Sequence, residues 1–312
     1  MVGRHAVINE SNSETGDWLA DADPVSRRIY RTPEPGPPIP DAWSLMLPPE
    51  TRLEILSQLP KRATRKPPLL FVHGGYCDAW CWTPYFLPWF AERGWPAYAL
   101  SLRGHGASGG LGSLFVAGLD DFVADVEQVA GQLDAPPILI GHSMGAAVIE
   151  RMLATRPVRA AALLAPVPPA GLLSVAARLA AAHPTYVSQL AQFDPSQLSD
   201  GLLATLRPFY FSAGVPRAIL TEAERHMNVE SPRALLDMSL RLHMALPERP
   251  TSPVLVLGAH DDRICTPTDA KATARHHGVD ATILPGMAHM LMLEPEWEAP
   301  AEALADWLAQ NK

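Results

Sequence analysis

Residues 136–150 read PPILIGHSMGAAVIE, and the order of residue types in this stretch decides the fold. Two prolines precede Ile138 to Ile140, an apolar run as short as a buried strand. Gly141-His142-Ser143-Met144-Gly145 follows without a spacer, and Met144 to Leu153 is compatible with a helix. A G-x-S-x-G pentapeptide between strand and helix sets its serine at the tip of a sharp turn. Glycines on either side let neighbouring chain pass without a Cβ clash, and the serine Oγ stands over the carboxyl end of the sheet. The helix N-terminus beneath it favours developing negative charge. Such a turn reads as the seat of a nucleophile. The competing reading is a chance pentapeptide at a strand-to-helix junction, so the rest of the chain must decide.

Working outward, the same tempo recurs. Arg52 to Ser57 alternates like a half-buried strand, and Leu69 to Val72 and Ala97 to Leu100 are short apolar runs. Ala160 to Leu164, Val254 to Leu257 and Ala281 to Leu284 are three more. Between them, Asp120 to Leu133 puts Phe122, Val123, Val126 and Val129 on one helical face, and Pro267 to His276 and Glu296 to Ala309 are helix-compatible. Strands alternating with helices imply βαβ units and a buried, mostly parallel sheet. From Pro166 to Pro250 the rhythm breaks: there is no strand pattern, and Leu172 to Ala182 and Ala234 to Leu246 read as helices. The expected organisation is an N-terminal arm over 1–40, a core over 41–165, a helical cap or lid over 166–250 and the rest of the core over 251–312. The arm contains TPEPGPPIP at Thr32 to Pro40, too proline-rich for helix or central strand.

Composition excludes several classes. A formal net charge of −8 argues against a nucleic-acid partner, because neutralising phosphates needs a basic face. No apolar run is long enough to span a membrane and the first residues lack a signal-peptide core, so the expectation is a cytoplasmic protein with no integral membrane segment. Three cysteines, Cys77, Cys81 and Cys265, give no disulfide framework. Cys77 and Cys81 lack a second Cys/His pair to complete a tetrahedral metal site, and no phosphate- or dinucleotide-binding fingerprint occurs. No metal and no cofactor are expected.

A serine hydroxyl needs a base. Asp262, in GAHDDR after one apolar run, and His289, in PGMAHM after the next, both fall at carboxyl ends of strands, where open α/β sheets build their sites. His73-Gly74-Gly75, Ser101-Leu102-Arg103-Gly104-His105-Gly106-Ala107-Ser108, GHSMG, GAHDDRICTP and PGMAHMLMLEPEW occur in the order seen in the α/β-hydrolase superfamily, which the chain resembles over about residues 52–310. The resemblance implies the α/β-hydrolase fold with a helical cap, serine esterase or lipase-like chemistry, and a set of roles. Ser143 would be the nucleophile, His289 the base and Asp262 the acid that orients it, with adjacent Asp261 as the alternative. Backbone N–H groups of Gly75 and Met144 would form the oxyanion hole. His73 and His105 resemble structural positions in their loops.

Tyr76, Trp80 and Trp82 lie just after the oxyanion loop, and Tyr76, Trp80 and Met287 are the candidate pocket residues, with Met144 as a further soft wall. The Ala- and Leu-rich cap favours an apolar acyl or aryl ester as the small-molecule substrate. Acyl transfer, thioester cleavage or cofactor-free perhydrolysis would use the same residues. A ligand-binding module that has lost catalysis is the reading from another class.

Overall fold

A computed structural model describes residues 27–29, 51–190, 193–242 and 252–311. Its sheet contains β1 (Arg27–Ile29), β2 (Glu54–Gln58), β3 (Leu69–Val72), β4 (Ala97–Ser101), β5 (Ile138–His142), β6 (Ala161–Leu164), β7 (Val254–Ala259) and β8 (Ala281–Leu284). The spatial order is β1-β2-β4-β3-β5-β6-β7-β8. β1 and β2 run antiparallel to their neighbours, and every pairing from β4 to β8 is parallel.

The helices are α1 (Phe86–Glu92), α2 (Leu119–Ala130), α3 (Met144–Thr155), α4 (Leu172–Ala182), α5 (Pro184–Leu190), α6 (Asp200–Tyr210), α7 (Arg217–Arg225), α8 (Pro232–Ser239), α9 (Pro267–His277) and α10 (Glu298–Gln310). Local chemistry sets their ends. In α9, Thr266 and Asp269 form a reciprocal capping box, Pro267 takes the first turn, and Gly278 stops the helix at φ 70°. None of the described helices is long and apolar enough to cross a membrane.

Strand alternation divides the core into two layers. Phe71, Ile140, Ala162 and Leu257 point to one face and pack with Phe86 and Phe90 of α1 and Leu304 and Leu308 of α10. Leu70, Val72, Leu139, Leu163 and Val256 point to the other, against Phe122 of α2, Ile149 of α3 and Ala274 of α9. With both faces covered, these strands are continuous hydrophobic runs. Phe71 sits 4.9 Å from Trp82, 5.7 Å from Phe90 and 6.1 Å from Phe86 between ring centroids. Each such pair adds about 0.5–1.5 kcal/mol beyond its buried area.

The junction of β5 and α3 is close-packed backbone. A Cβ on Gly145 would press on the carbonyl oxygens of Val72 and His73, and one on Gly141 would lie 2.5 Å from the Gly145 carbonyl carbon. Only glycine lets the helix start this close to β3.

His73 ties the loop after β3 to the loop after β4. Its Nε2 accepts the Leu102 N–H at 3.0 Å, so the ring proton is on Nδ1, which donates to the Gly74 carbonyl at 2.8 Å. Burial, reinforced by the neighbouring His105, lowers its pKa from 6.5 to about 4. His142 is lowered well below its ordinary value too, by burial and then by the charge of His289.

Several elements differ from the sequence expectation. β2 spans Glu54–Gln58 rather than Arg52 to Ser57, and it is buried rather than half-buried. The reason is Glu54, which accepts from Ser101 Oγ and from the Ala107 N–H, both at 2.9 Å, so a charged residue faces inward. Helix α1 and helices α5, α6 and α7 were not distinguished in the sequence. The helix expected over Ala234 to Leu246 is α8, which ends at Ser239. The expected arm over residues 1–40 lies outside the described residues, apart from the edge strand β1.

Two outcomes are expected. Gly145→Ala should destabilise the fold by about 3 kcal/mol or more, because the added methyl meets backbone that cannot turn away; an unchanged thermal melt would contradict this packing. The histidines give an acid-side effect. Below pH 6.5 the unfolded chain protonates His73 while the folded chain does not until about pH 4, so stability falls with pH across that window. The loss from His73 alone is roughly 3 kcal/mol, and His142 adds in the same direction. His105, whose pKa is raised, is protonated in both states below 6.5 and cannot mask this slope. Urea unfolding at pH 6.5 and 4.5 measures it, and equal midpoints would refute it.

Candidate active site

Ser143 connects β5 to α3 with φ 50° and ψ −112°, a conformation a non-glycine residue rarely adopts. Its N–H donates to the Leu164 carbonyl at 2.9 Å, which ties the turn to the adjacent strand. Strain of this type costs roughly 1–3 kcal/mol and persists only where surrounding structure over-determines it. The serine side chain opens into a cavity of about 330 Å³.

His289 reaches the same cavity from the loop after β8. Its Nδ1–H donates to Asp262 Oδ2 at 2.7 Å, and the imidazole and carboxylate are 3% and 0% exposed. With Nδ1 the donor, the neutral ring carries its lone pair on Nε2. Asp262, after β7, accepts the N–H groups of Ile264 at 2.8 Å and Cys265 at 2.9 Å on its other oxygen. This fixes the carboxylate so that Oδ2 faces the imidazole. Asp261 instead meets exposed His260 at 2.8 Å and is itself 57% exposed. The structure joins Asp262 to His289 and leaves Asp261 outside.

His142 holds the backbone of His289. Its Nε2–H donates to the His289 carbonyl at 2.9 Å, and the rings lie 4.7 Å apart. From the opposite side, the Met290 N–H donates to the Tyr210 carbonyl at 2.9 Å. The imidazole is therefore oriented by a carboxylate at one ring nitrogen and by two backbone anchors.

Gly75 and Met144 both line the cavity beside Ser143. Met144 opens α3, where backbone N–H groups have no partner within the helix. Tyr76 lines the cavity with φ 61°, a second non-glycine residue in the left-handed region. Trp80 lines it as well, stacked on His226 at 4.8 Å with 5° between the rings. Met287 does not line it. Its side chain is fully buried in the core layer of α1 and α10, and its carbonyl accepts the Asp261 N–H at 2.9 Å. Its volume is taken up by the core, and Met290, three residues later, lines the cavity in its place. Trp82 likewise belongs to the core, against Phe71.

The chain between β6 and β7 supplies most of the opposite wall. Val175 and Leu179 come from α4, Val187 and Leu190 from α5, and Leu203 and Leu206 from α6. Polar groups are few: the Tyr186 and Tyr210 hydroxyls, 3.2 Å apart, the Arg207–Glu224 ion pair, and His226. His226 Nδ1 is 3.0 Å from buried Asp78, whose pKa, despite burial, is lowered by this histidine's hydrogen bond and charge. None of these was singled out in the sequence, since the histidine and its aspartate are 148 residues apart.

The sequence profile of the alpha/beta hydrolase family matches residues 69–307. Over 233 residues the chain is 23% identical to a monoacylglycerol lipase of Mycolicibacterium smegmatis, an alignment covering 71% of this chain and 81% of the relative. The crystal structure of Paleococcus ferrophilus monoacylglycerol lipase superposes with a TM-score of 0.58 at 22% identity, covering 84% of this chain and all of that one. An esterase from Exiguobacterium antarcticum gives 0.62 at 17% identity, covering 83% and 96%. The family match spans the sheet from β3 through α10 and includes the turn at Ser143 and both loops that bring Asp262 and His289 to it: the chain belongs to the alpha/beta hydrolase family.

Proposed function

We propose that the protein hydrolyses carboxylic esters with an apolar acyl or aryl group, through an acyl-enzyme on Ser143. The observation that carries this reading is the His289–Asp262 hydrogen bond opening into the same apolar cavity as a serine held at positive φ. The named relatives, lipases and an esterase, point the same way.

In this mechanism Ser143 Oγ attacks the ester carbonyl carbon while His289 Nε2 takes the hydroxyl proton. Asp262, bonded at Nδ1, keeps the imidazole in the accepting tautomer and stabilises the imidazolium that results. The carbonyl oxygen becomes an oxyanion, and the N–H groups of Gly75 and Met144 receive it. Removing one such donor costs about 10²–10³ in kcat in related chemistry. The tetrahedral adduct collapses, the bond to the leaving oxygen breaks, and His289 returns its proton to that oxygen so that an alcohol departs. Water then attacks the acyl-enzyme with His289 again as base. The carboxylic acid leaves and Ser143 recovers its proton.

The cavity selects by shape and dryness. Aliphatic walls from α4, α5 and α6 receive the acyl chain, while a charged acyl group would lose its hydration with few polar partners in return. A volume near 330 Å³ is at the lower end of small-molecule sites, which run roughly from 300 to 1,000 Å³, and favours short to medium chains.

Two experiments follow. Hydrolysis of p-nitrophenyl butyrate should fall by about 10³-fold or more in Ser143→Ala and by a comparable factor in Asp262→Asn, with Asp261→Asn near wild type. A loss below tenfold in Ser143→Ala would sink the nucleophile assignment. Leu179→Trp narrows the acyl wall and should raise KM for decanoyl esters roughly tenfold while sparing acetyl esters; equal effects on both would contradict the placement of the chain.

A further inference from the structure

The chain between α7 and α8 runs His226-Met227-Asn228-Val229-Glu230-Ser231 and lies against the loop that follows β3. The contacts are specific. The Asn228 N–H donates to the Tyr76 carbonyl at 3.0 Å, and the Tyr76 N–H donates to Glu230 Oε2 at 3.1 Å. Both backbone groups of Tyr76 are thus held by this one segment. Glu230 Oε1 accepts the Ser231 N–H at 2.7 Å, and Oε2 lies 3.3 Å from His105 Nε2. His105 Nδ1 is 3.0 Å from the Arg103 carbonyl. Both ring nitrogens of His105 therefore face acceptors, which an imidazolium satisfies and a neutral ring does not. Glu230 and His105 side chains are 1% and 0% exposed, so this is a buried, hydrogen-bonded ion pair.

The segment is anchored on both sides of Glu230. Asn228 Oδ1 accepts the Gly106 N–H at 3.1 Å, and Ser231 Oγ donates to the Ala117 carbonyl at 2.5 Å while capping α8. It cannot slide without breaking several bonds together.

Gly75 is the residue whose N–H the proposed mechanism needs, yet a glycine has little conformational preference of its own. Its N–H belongs to the Gly74–Gly75 peptide, whose carbonyl accepts from His73 Nδ1, and the rotation about the Gly75 Cα is fixed only when the following peptide is held as well. That peptide ends at the Tyr76 N–H, and the group that accepts from it is the Glu230 carboxylate. An added Cβ on Gly75 would lie 3.2 Å from Glu230 Oε2, so the carboxylate also sits directly against this residue.

We propose that Glu230 is a positioning residue for the oxyanion hole: by holding the peptide that follows Gly75 it fixes the backbone turn at that residue and keeps the Gly75 N–H directed at the reacting carbonyl oxygen. This rests on the reading of Ser143 as nucleophile. Glu230 does not line the cavity and touches no substrate; it acts through the loop. The role also couples the segment between β6 and β7 to the chemistry, since a displaced segment takes the carboxylate with it.

The test compares Glu230→Ala and Glu230→Gln in the full chain. Glu230→Ala should lower kcat for p-nitrophenyl butyrate about 10- to 100-fold with KM within about threefold. Affinity for an aryl trifluoromethyl ketone, whose serine adduct carries the oxyanion, should fall by the same factor. Glu230→Gln keeps an oxygen for the Tyr76 N–H and should recover both to within about threefold of wild type. His277→Gln, which cuts a buried pair with Glu150 far from this loop, controls for stability alone and should lower the melting temperature while leaving kcat in place. If Glu230→Ala does not fold, Glu230→Met, of similar length and without an acceptor, gives the same comparison. Unchanged kcat in a folded variant, ketone affinity that stays constant while kcat drops, or no recovery in Glu230→Gln would overturn the proposal. Wild-type protein that neither turns over the ester nor reacts with a fluorophosphonate would instead remove the nucleophile reading and leave this one without its premise.

Discussion

Helix α3 begins where β3 ends, and the two backbones approach so closely that the contact residue can carry no side chain. This close approach at Gly145 is the constraint from which the site follows. It forces the chain to leave β5 through a turn of one residue, and that residue takes up a positive φ. A serine there has its hydroxyl lifted clear of the sheet, directly above the start of a helix. The neighbouring strands then determine what can reach it: β3 delivers the loop of Gly75, β7 delivers Asp262, and β8 delivers His289. The packing of the sheet and the assembly of the site are the same geometric fact.

Loops at the carboxyl end of a parallel sheet have no ladder to satisfy their N–H groups, and burying them unpaired is costly. This protein meets the problem with buried carboxylates. Glu54 receives the Ala107 N–H, Asp125 the Arg103 N–H, Asp262 those of Ile264 and Cys265, and Glu294 that of Ser212. Glu230 belongs to the same group. Each of these acids stands in for a missing strand partner, so these loops are held by charge-assisted bonds in addition to apolar contact. Such bonds are directional, which suits groups that must aim at one atom.

The parts of this arrangement that were legible in the sequence are those encoded by adjacent residues. The turn at Ser143 is written in five consecutive residues, and the strands are continuous apolar runs because both faces are covered. Asp262 and His289 could be found because each follows its own strand. What was missed depends on distance along the chain. Glu230 lies 154 residues from the Tyr76 N–H it accepts, and neither residue carries a local mark of that contact. Met287, expected as a soft wall of the cavity, is buried in the core while Met290 lines the cavity, and nothing in the sequence around His289 tells the two methionines apart. Helices α5, α6 and α7 carry a weaker local mark: α5 and α7 are short and α6 contains Pro208, so none shows a long apolar period.

The stretch between β6 and β7 contributes the aliphatic wall, while the hydroxyl, imidazole and carboxylate all come from the sheet's own loops. On the proposed reading, recognition and reaction are thereby written on separate pieces of polypeptide. Evolution can redraw the outline of the binding chamber by exchanging one contiguous insert and leave the reacting groups untouched. The freedom is bounded at the point where the insert donates an acid to the loop beneath it. A transplanted insert lacking that carboxylate would import a new outline and forfeit the alignment it depends on.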